Sequence, residues 1–299
     1  MALALLVPGG SGQLGRELAG LADVSVLAPG SAELDLTQPG QVIKAVSTLA
    51  TLARADGHVP VVINAAAYTA VDKAETDRAR AFAVNADGPR VLAAACSSRG
   101  VPLIHVSTDY VFPGDAQRPY EVDDATGPKS VYGTTKLAGE DGVLGSGARA
   151  WVVRTSWVYG AHGGNFVKTM ARLESQRETL SVVDDQVGSP TWTGDLARAL
   201  VELAGRVTGP NPPKASVLHC ANAGEVTWAG FARAVFEELG ADPARVKSCG
   251  TKDYPTAAAR PAYSVLSDAA WRGEGLTPMR HWRAALSAAF AAHPGGFRP

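Results

Sequence analysis

Cysteine is scarce: only Cys96, Cys220 and Cys249 occur in 299 residues. They are widely spread, odd in number and form no C-x-x-C pair. That excludes a disulfide framework and a cysteine zinc site, and reads as reduced thiols in a cytoplasmic protein. The six histidines never fall at H-x-x-x-H spacing, so a helical zinc pair is absent as well. Neither sign of charge dominates, with Lys+Arg at 28 and Asp+Glu at 29 for a net -1. Without an overall basic field, neither nucleic acid nor an anionic membrane is expected as a partner. Long apolar runs are missing too. Met1 to Val7 is apolar but short, lacks a charged start and runs into glycines, so neither a signal peptide nor a membrane span is expected. No G-x-S-x-G elbow and no G-x-x-x-x-G-K-[ST] loop occurs, which removes serine-hydrolase and P-loop readings.

What is present suffices for a large core. Hydrophobic residues make up 46% of the chain and charged residues 19%, a composition that excludes intrinsic disorder. The first half alternates strand-like and helix-like segments. Strands are expected at 3–8, 24–28, 59–64, 103–107 and 150–155. Helices are expected at 12–22, 42–54, 73–99 (with a break at Gly88-Pro89) and 130–144. Such alternation predicts an α/β fold: a Rossmann-like, doubly wound parallel sheet. Beyond Ser156 the pattern loosens into helices at 166–176, 195–203, 228–239 and 280–292 and short strands at 180–183 and 217–220. Residues 1–160 therefore read as a dinucleotide-binding domain and 161–299 mainly as a smaller C-terminal substrate-binding lobe. A later strand and helix, about 180–204, are expected to return to the first domain.

Gly9-Gly10-Ser11-Gly12-Gln13-Leu14-Gly15 follows the first strand and opens the first helix. Glycines at that junction allow a tight turn and close backbone approach to a pyrophosphate, and the helix N-terminus offers free N–H groups. The end of the second strand, Ala28-Pro29-Gly30-Ser31, carries neither an acid for a ribose hydroxyl nor a base for a 2′-phosphate, and Glu33 and Asp35 come slightly late. Charge thus leaves NAD and NADP both open. Tyr132 and Lys136 form a Y-x-x-x-K pair, one helical turn apart. An ammonium beside a phenol would lower the phenol's pKa and let it exchange a proton with a carbonyl near neutral pH. Ser107 or Thr108, at the end of the fourth strand, could hydrogen-bond the same carbonyl. Together these features specify hydride exchange with a nicotinamide, assisted by protein acid–base groups.

These residues resemble the extended short-chain dehydrogenase/reductases. Longer strings narrow the match to the dTDP-4-dehydrorhamnose reductase family: Val62 to Glu75, Ser107-Thr108-Asp109-Tyr110-Val111-Phe112, Val131-Tyr132-Gly133 with Lys136-Leu137-Ala138-Gly139-Glu140, Arg154 to Gly160, Asn165-Phe166-Val167, Asp185 to Trp192 and Arg260 to Ser264. The resemblance covers nearly the whole chain. It implies NADPH-dependent (or NADH-dependent) reduction of the 4-keto group of dTDP-4-dehydro-L-rhamnose. By motif, it implies Thr108, Tyr132 and Lys136 as catalytic residues. Gly9, Gly12, Gln13, Leu14, Gly15, Asp35, Leu36, Ala65, Ala66, Ala67, Tyr68 and Ser107 would bind cofactor, together with Tyr132 and Lys136. Thr69, Val71, Thr108, Asp109, Tyr110, Trp157 and Arg260 would meet the sugar nucleotide. Some members dimerise through magnesium held by glutamates. Glu17 matches one such position, but a solvated carboxylate is the competing state, and no metal ligand is assigned. A homodimer is the expected assembly.

Two alternatives stand beside this reading. One is a related dTDP-ketosugar reductase or dihydrostreptose-type synthase of a specialised pathway, and the other a cofactor-bound regulatory subunit without turnover. Retention of both Tyr132 and Lys136 speaks against the second. Pro8 departs from the pattern, because a residue able to donate an N–H is expected before the glycine loop. Asn85 reads equally as part of a proton relay or as a helix-stabilising amide. Arg78, Arg80 and Arg90 read as an exposed helix face, and Trp151, Trp271 and Trp282 as packing residues.

Overall fold

Short, continuously apolar strands need cover on both faces, and helices on either side provide it. The computed structural model describes residues 2–297. Six strands form one parallel sheet: β1 (Leu3–Leu6), β2 (Ser25–Leu27), β3 (Val59–Asn64), β4 (Leu103–Thr108), β5 (Ala150–Thr155) and β6 (Val217–His219). Their spatial order is β6-β5-β4-β3-β1-β2. The chain steps from β1 outward to β2, then crosses back to β3 on the other side of β1. That reversal leaves a crevice beyond the carboxyl ends of β1 and β3, the place where open α/β sheets bind ligands.

Helices α1 (Gln13–Ala19), α2 (Pro39–Ala55), α3 (Gly88–Arg99), α4 (Val131–Leu144), α5 (Phe166–Glu174), α6 (Thr193–Thr208), α7 (Trp228–Leu239) and α8 (Trp282–Ala292) complete the main architecture. One face of the sheet is covered by Leu14 and Leu18 of α1 and by Leu196, Leu200, Leu203 and Val207 of α6, packed on Leu5, Val61, Ile63 and Val153. The other is covered by Val42, Val46 and Leu49 of α2, Leu92 and Cys96 of α3 and Val143 of α4, packed on Leu6, Val62, Leu103 and Val152. Each such fully buried aliphatic side chain contributes about 1.5–3 kcal/mol. A third cluster is built by Val167 and Met170 of α5, Phe231, Val235 and Phe236 of α7, and Leu286 of α8. This is the core of the C-terminal lobe.

The later elements sort differently from expectation. The strand Leu180–Val183 pairs in parallel with Val246–Cys249 and does not enter the central sheet. The helix that returns is α6, and the strand that returns is β6, beside β5. The long helix expected over 73–99 is divided into Val71–Ala74, Arg78–Phe82, a π-helical turn Ala83–Asp87, and α3. Helical winding runs on from Arg78 to Arg99, and its irregularity, the π-turn, ends directly at Gly88-Pro89, where the proline lacks the N–H that a regular helix would use.

Candidate active site

The crevice between β1 and β3 is made by backbones in near contact. Gly9 has φ +86, and a Cβ there would lie 2.7 Å from the Ala66 nitrogen. Only glycine allows that turn and that approach together. Pro8 does not disturb it, because its carbonyl accepts a hydrogen bond from the Ala65 N–H at 3.1 Å. Helix α1 starts after Gly12, which is extended and has no side chain bonded to the first turn. Its leading N–H groups therefore face the crevice uncapped, which suits a pyrophosphate.

A cleft of about 770 Å³ runs from this turn across the ends of β3 and β4 to Trp157. Its wall contains Gly9, Gly12, Gln13, Leu14, Gly15, Asp35, Leu36, Ala65, Ala66, Ala67, Tyr68 and Ser107. Thr69, Val71, Thr108, Asp109, Tyr110, Tyr132, Lys136 and Trp157 line the same cleft. Gln13 also receives a hydrogen bond from Asn165, the N-cap of α5, at 2.9 Å, which ties the glycine turn to the C-terminal lobe. Arg260 is the exception. Its guanidinium is held by Asp72 at 2.5 Å and by the Ala258 carbonyl at 3.0 Å, and it does not reach the cleft wall.

Tyr132 and Lys136 reach the cleft because α4 lies unusually close to its neighbours. A Cβ on Gly133 would lie 2.2 Å from the Tyr110 carbonyl, and one on Gly139 would lie 2.1 Å from that of Asn85. Ser130 caps the helix by accepting from the Gly133 N–H at 3.1 Å. Further along, Glu140 makes a buried ion pair with Arg154 of β5, with Nη2 to Oε2 at 2.7 Å. The Arg154 guanidinium also lies over the Phe112 ring, 4.9 Å from its centroid. The Lys136-Leu-Ala-Gly-Glu140 string thus combines one cleft residue with the residues that dock its helix.

Asn85 has a structural role. Its oxygen accepts from the Tyr68 N–H at 2.7 Å, and its nitrogen donates to the Tyr68 carbonyl and the Thr135 hydroxyl, both at 3.0 Å. One buried side chain so joins the π-turn, the loop after β3 and α4.

The electrostatics depart from expectation. Burial pushes the Tyr132 phenol up to about 12, with the Thr108 hydroxyl opposing the rise, so it is not poised near neutrality by lysine. Burial pulls Lys136 down to about 8, opposed by Glu140. The Lys136 amine is engaged elsewhere, donating to the Val106 carbonyl at 2.8 Å and lying 3.4 Å from His105 Nε2. The Thr108 hydroxyl donates to Asp109 Oδ1 at 2.9 Å. Burial pushes the Asp109 carboxyl up to about 6.

Several wall residues carry no role in the sequence analysis, among them Arg80, Ser31 and Trp228. Arg80, expected on an exposed face, lines the cleft and pairs with Asp35 at 3.6 Å. Ser31 lies on the same stretch of wall. Trp228, from α7, stacks on Trp157 with ring centroids 3.4 Å apart. Trp157 is the one non-glycine residue with positive φ among the described residues, at 45°. It is wedged there, since a Cβ on Gly188 would meet its ring at 2.4 Å. No signal within one sequence links Trp228 to Trp157. Arg80 could have been found from its position, on the second short helix after β3. Glu17, the metal candidate, accepts from the Thr193 hydroxyl at 3.1 Å and lies 3.6 Å from His293. Among the described residues no group of three or more His, Cys, Asp or Glu side chains could hold a metal ion.

Comparison with known proteins agrees with this geometry. The family model described as RmlD substrate binding domain matches residues 3–293. A dTDP-4-dehydrorhamnose reductase of Streptomyces griseus is 48% identical, over 96% of this chain and 93% of that protein. A probable dTDP-4,6-dihydroxy-2-methyloxan-3-one 4-ketoreductase of Streptomyces antibioticus is 46% identical, over 97% of each chain. The crystal structure of dTDP-4-dehydrorhamnose reductase from Bacillus anthracis, in complex with NADP, superposes with a TM-score of 0.90 at 35% identity. It covers 98% of this chain and 100% of that one. With its glycine crevice, its Tyr132–Lys136 helix and this near-complete coverage, the chain belongs to the RmlD family, that of the dTDP-4-dehydrorhamnose reductases.

Proposed function

We propose that this protein is an oxidoreductase that reduces the 4-keto group of dTDP-4-dehydro-L-rhamnose to dTDP-L-rhamnose, with NADPH as reductant and NADH as the weaker alternative. One observation carries the reading: Thr108, Tyr132 and Lys136 converge on a single cleft that opens from an uncapped helix N-terminus. The glycine turn and the ends of β1 and β3 have the backbone shape for a dinucleotide, which when bound supplies the hydride. Tyr132 is the proton donor to the carbonyl oxygen. A phenol held at about 12 stays protonated at neutral pH, the state a donor needs in the reductive direction. Thr108 orients that carbonyl, and Lys136 lies beneath the same wall as the partner of the tyrosine. Trp157 and Trp228 present a flat aromatic surface to the sugar nucleotide. Arg80 supplies a cation for the additional phosphate of NADPH, opposed by Asp35, whose carboxylate suits a ribose hydroxyl instead.

In this reading residues 1–160 hold mainly the dinucleotide and 161–299 mainly the sugar nucleotide. The three free cysteines fit a reducing, cytoplasmic setting. Homodimerisation belongs to the same proposal, and size-exclusion chromatography with light scattering tests it. Reduction of a differently substituted dTDP-ketosugar is the second reading, favoured by the Streptomyces antibioticus relative. Purified protein mixed with NADPH and each ketosugar separates the two. Oxidation of NADPH with dTDP-4-dehydro-L-rhamnose, and NMR identification of dTDP-L-rhamnose, is the expected result. No oxidation with that substrate overturns the proposal.

A further inference from the structure

Behind the cleft wall lies a buried polar chain that the reaction as described does not use. Asn64 ends β3, and His105 lies on β4 beside it; both are fully buried. The Asn64 oxygen accepts from the Ala66 N–H at 3.1 Å. The Asn64 nitrogen lies 3.0 Å from His105 Nδ1, and His105 Nε2 lies 3.4 Å from the Lys136 amine.

The hydrogens in this chain follow from one backbone group. An amide N–H can only donate, so the Asn64 atom facing Ala66 is the oxygen. The atom facing His105 is then the NH2, also a donor, and Nδ1 must accept. A neutral imidazole with a bare Nδ1 carries its proton on Nε2. That N–H points toward Lys136. An ammonium has no lone pair to receive it, whereas a neutral amine accepts from Nε2 and still donates to the Val106 carbonyl. The lengths are those of a strong bond to Val106, 2.8 Å, and of a loose 3.4 Å approach to His105, as an ammonium facing an imidazole N–H gives before the lysine loses its proton.

We propose that Asn64 and His105 are a positioning pair for Lys136, locking an imidazole N–H toward its amine so that the lysine gives up its proton at lower pH than a lysine facing an acceptor would. Burial holds His105 well below the ordinary histidine range, and the Lys136 ammonium lowers it further, so the imidazole is neutral in either state of the lysine. The other titratable or charged groups around Lys136 are Tyr132 and Glu140 on its own helix and Arg154 on β5, which is neutralised against Glu140. Asp109 and Tyr110 lie on the turn after β4. Among these, Glu140 works in the opposite direction, favouring the ammonium. The pair thereby links the backbone of the turn after β3 to the protonation of a catalytic side chain.

The test has two arms. Long-range proton–nitrogen NMR spectra of the labelled wild-type protein read the His105 tautomer directly and do not depend on any turnover. The expected spectrum shows Nε2 protonated, Nδ1 bare and no titration across the ordinary histidine range. A proton on Nδ1, or an imidazolium near neutral pH, overturns the proposal. In Asn64→Asp the group facing Nδ1 becomes an acceptor, so Nδ1 should gain a proton. The kinetic arm rests on the ketosugar-reductase reading. There, the Lys136-linked limb of the kcat profile in Asn64→Asp should move upward by about one pH unit. A variant whose tautomer changes while its pH limb stays in place also overturns the link to Lys136. If wild-type protein turns over no ketosugar, the functional reading fails alone, and the tautomer result still decides the hydrogen-bond argument.

Discussion

Asp109 offers a stability test whose size can be worked out in advance. Its side chain is 3% exposed, its Oδ1 accepts from Thr108, and its Oδ2 is a buried oxygen without a hydrogen-bond partner among the described residues. Burial raises the carboxyl from 3.8 to about 6. The folded protein therefore holds this proton more tightly than the unfolded chain. The contribution is fully present below the unfolded value of 3.8 and is lost as pH rises through about 6. That interval corresponds to about 3 kcal/mol, of which about 2 kcal/mol disappears between about pH 4.5 and about pH 8. Asp109→Asn keeps the shape and removes the titration. Urea unfolding of both proteins at these two pH values gives a double difference in which any pH-independent cost of the amide cancels. Relative to wild type, the variant should gain about 2 kcal/mol on going from about pH 4.5 to about pH 8. Equal differences at both pH values would refute the argument that burial of this carboxyl costs stability.

Tyr132→Phe should lower kcat by about 10²-fold or more while leaving the NADPH dissociation constant nearly unchanged, read by steady-state kinetics and calorimetry. Glu140→Gln leaves the Arg154 guanidinium buried without its counter-charge and should cost about 3–5 kcal/mol in urea unfolding. Arg80→Ala should raise KM for NADPH more than KM for NADH, and an equal effect on both would remove Arg80 from cofactor discrimination. Trp228→Ala removes the ring stacked on Trp157 and should raise KM for the sugar nucleotide more than it lowers kcat.

The sheet was legible because its strands are short apolar runs alternating with amphipathic helices. β3 and β5 fall at the residues expected, and α7 does as well. The glycine turn was legible for the same reason: φ +86 beside another backbone leaves glycine no competitor. What the sequence hid was set by distant packing. In alanine-rich 73–99 the pair Gly88-Pro89 marks an irregularity, but neither the π-turn just before it nor the tertiary bonds of Asn85 could be read from the sequence. The short strand at 180 carries no mark of its partner, so Val246–Cys249 could not be named in advance. Tyr132 and Lys136 were identified by spacing, but their proton affinities were not. Spacing describes the pair, whereas burial, opposed by Thr108 at the tyrosine and by Glu140 at the lysine, sets their proton affinities. Arg260 is a further case: its charge was legible, but its pairing with Asp72 comes from chain far away in sequence.

The π-turn at Ala83–Asp87 has a consequence for how the gene can vary in length. Each residue advances a helix by about 100°. A π-turn takes up one extra residue within a single widened turn, so the helix before and after it keeps nearly its regular phase. Deleting that residue would close the turn to regular winding with Leu92 and Cys96 still on the sheet, and would remove the bulge that carries Asn85 to Tyr68 and Thr135. Shortening here would therefore be felt in the loop after β3 and in α4 before it was felt in the packing of α3.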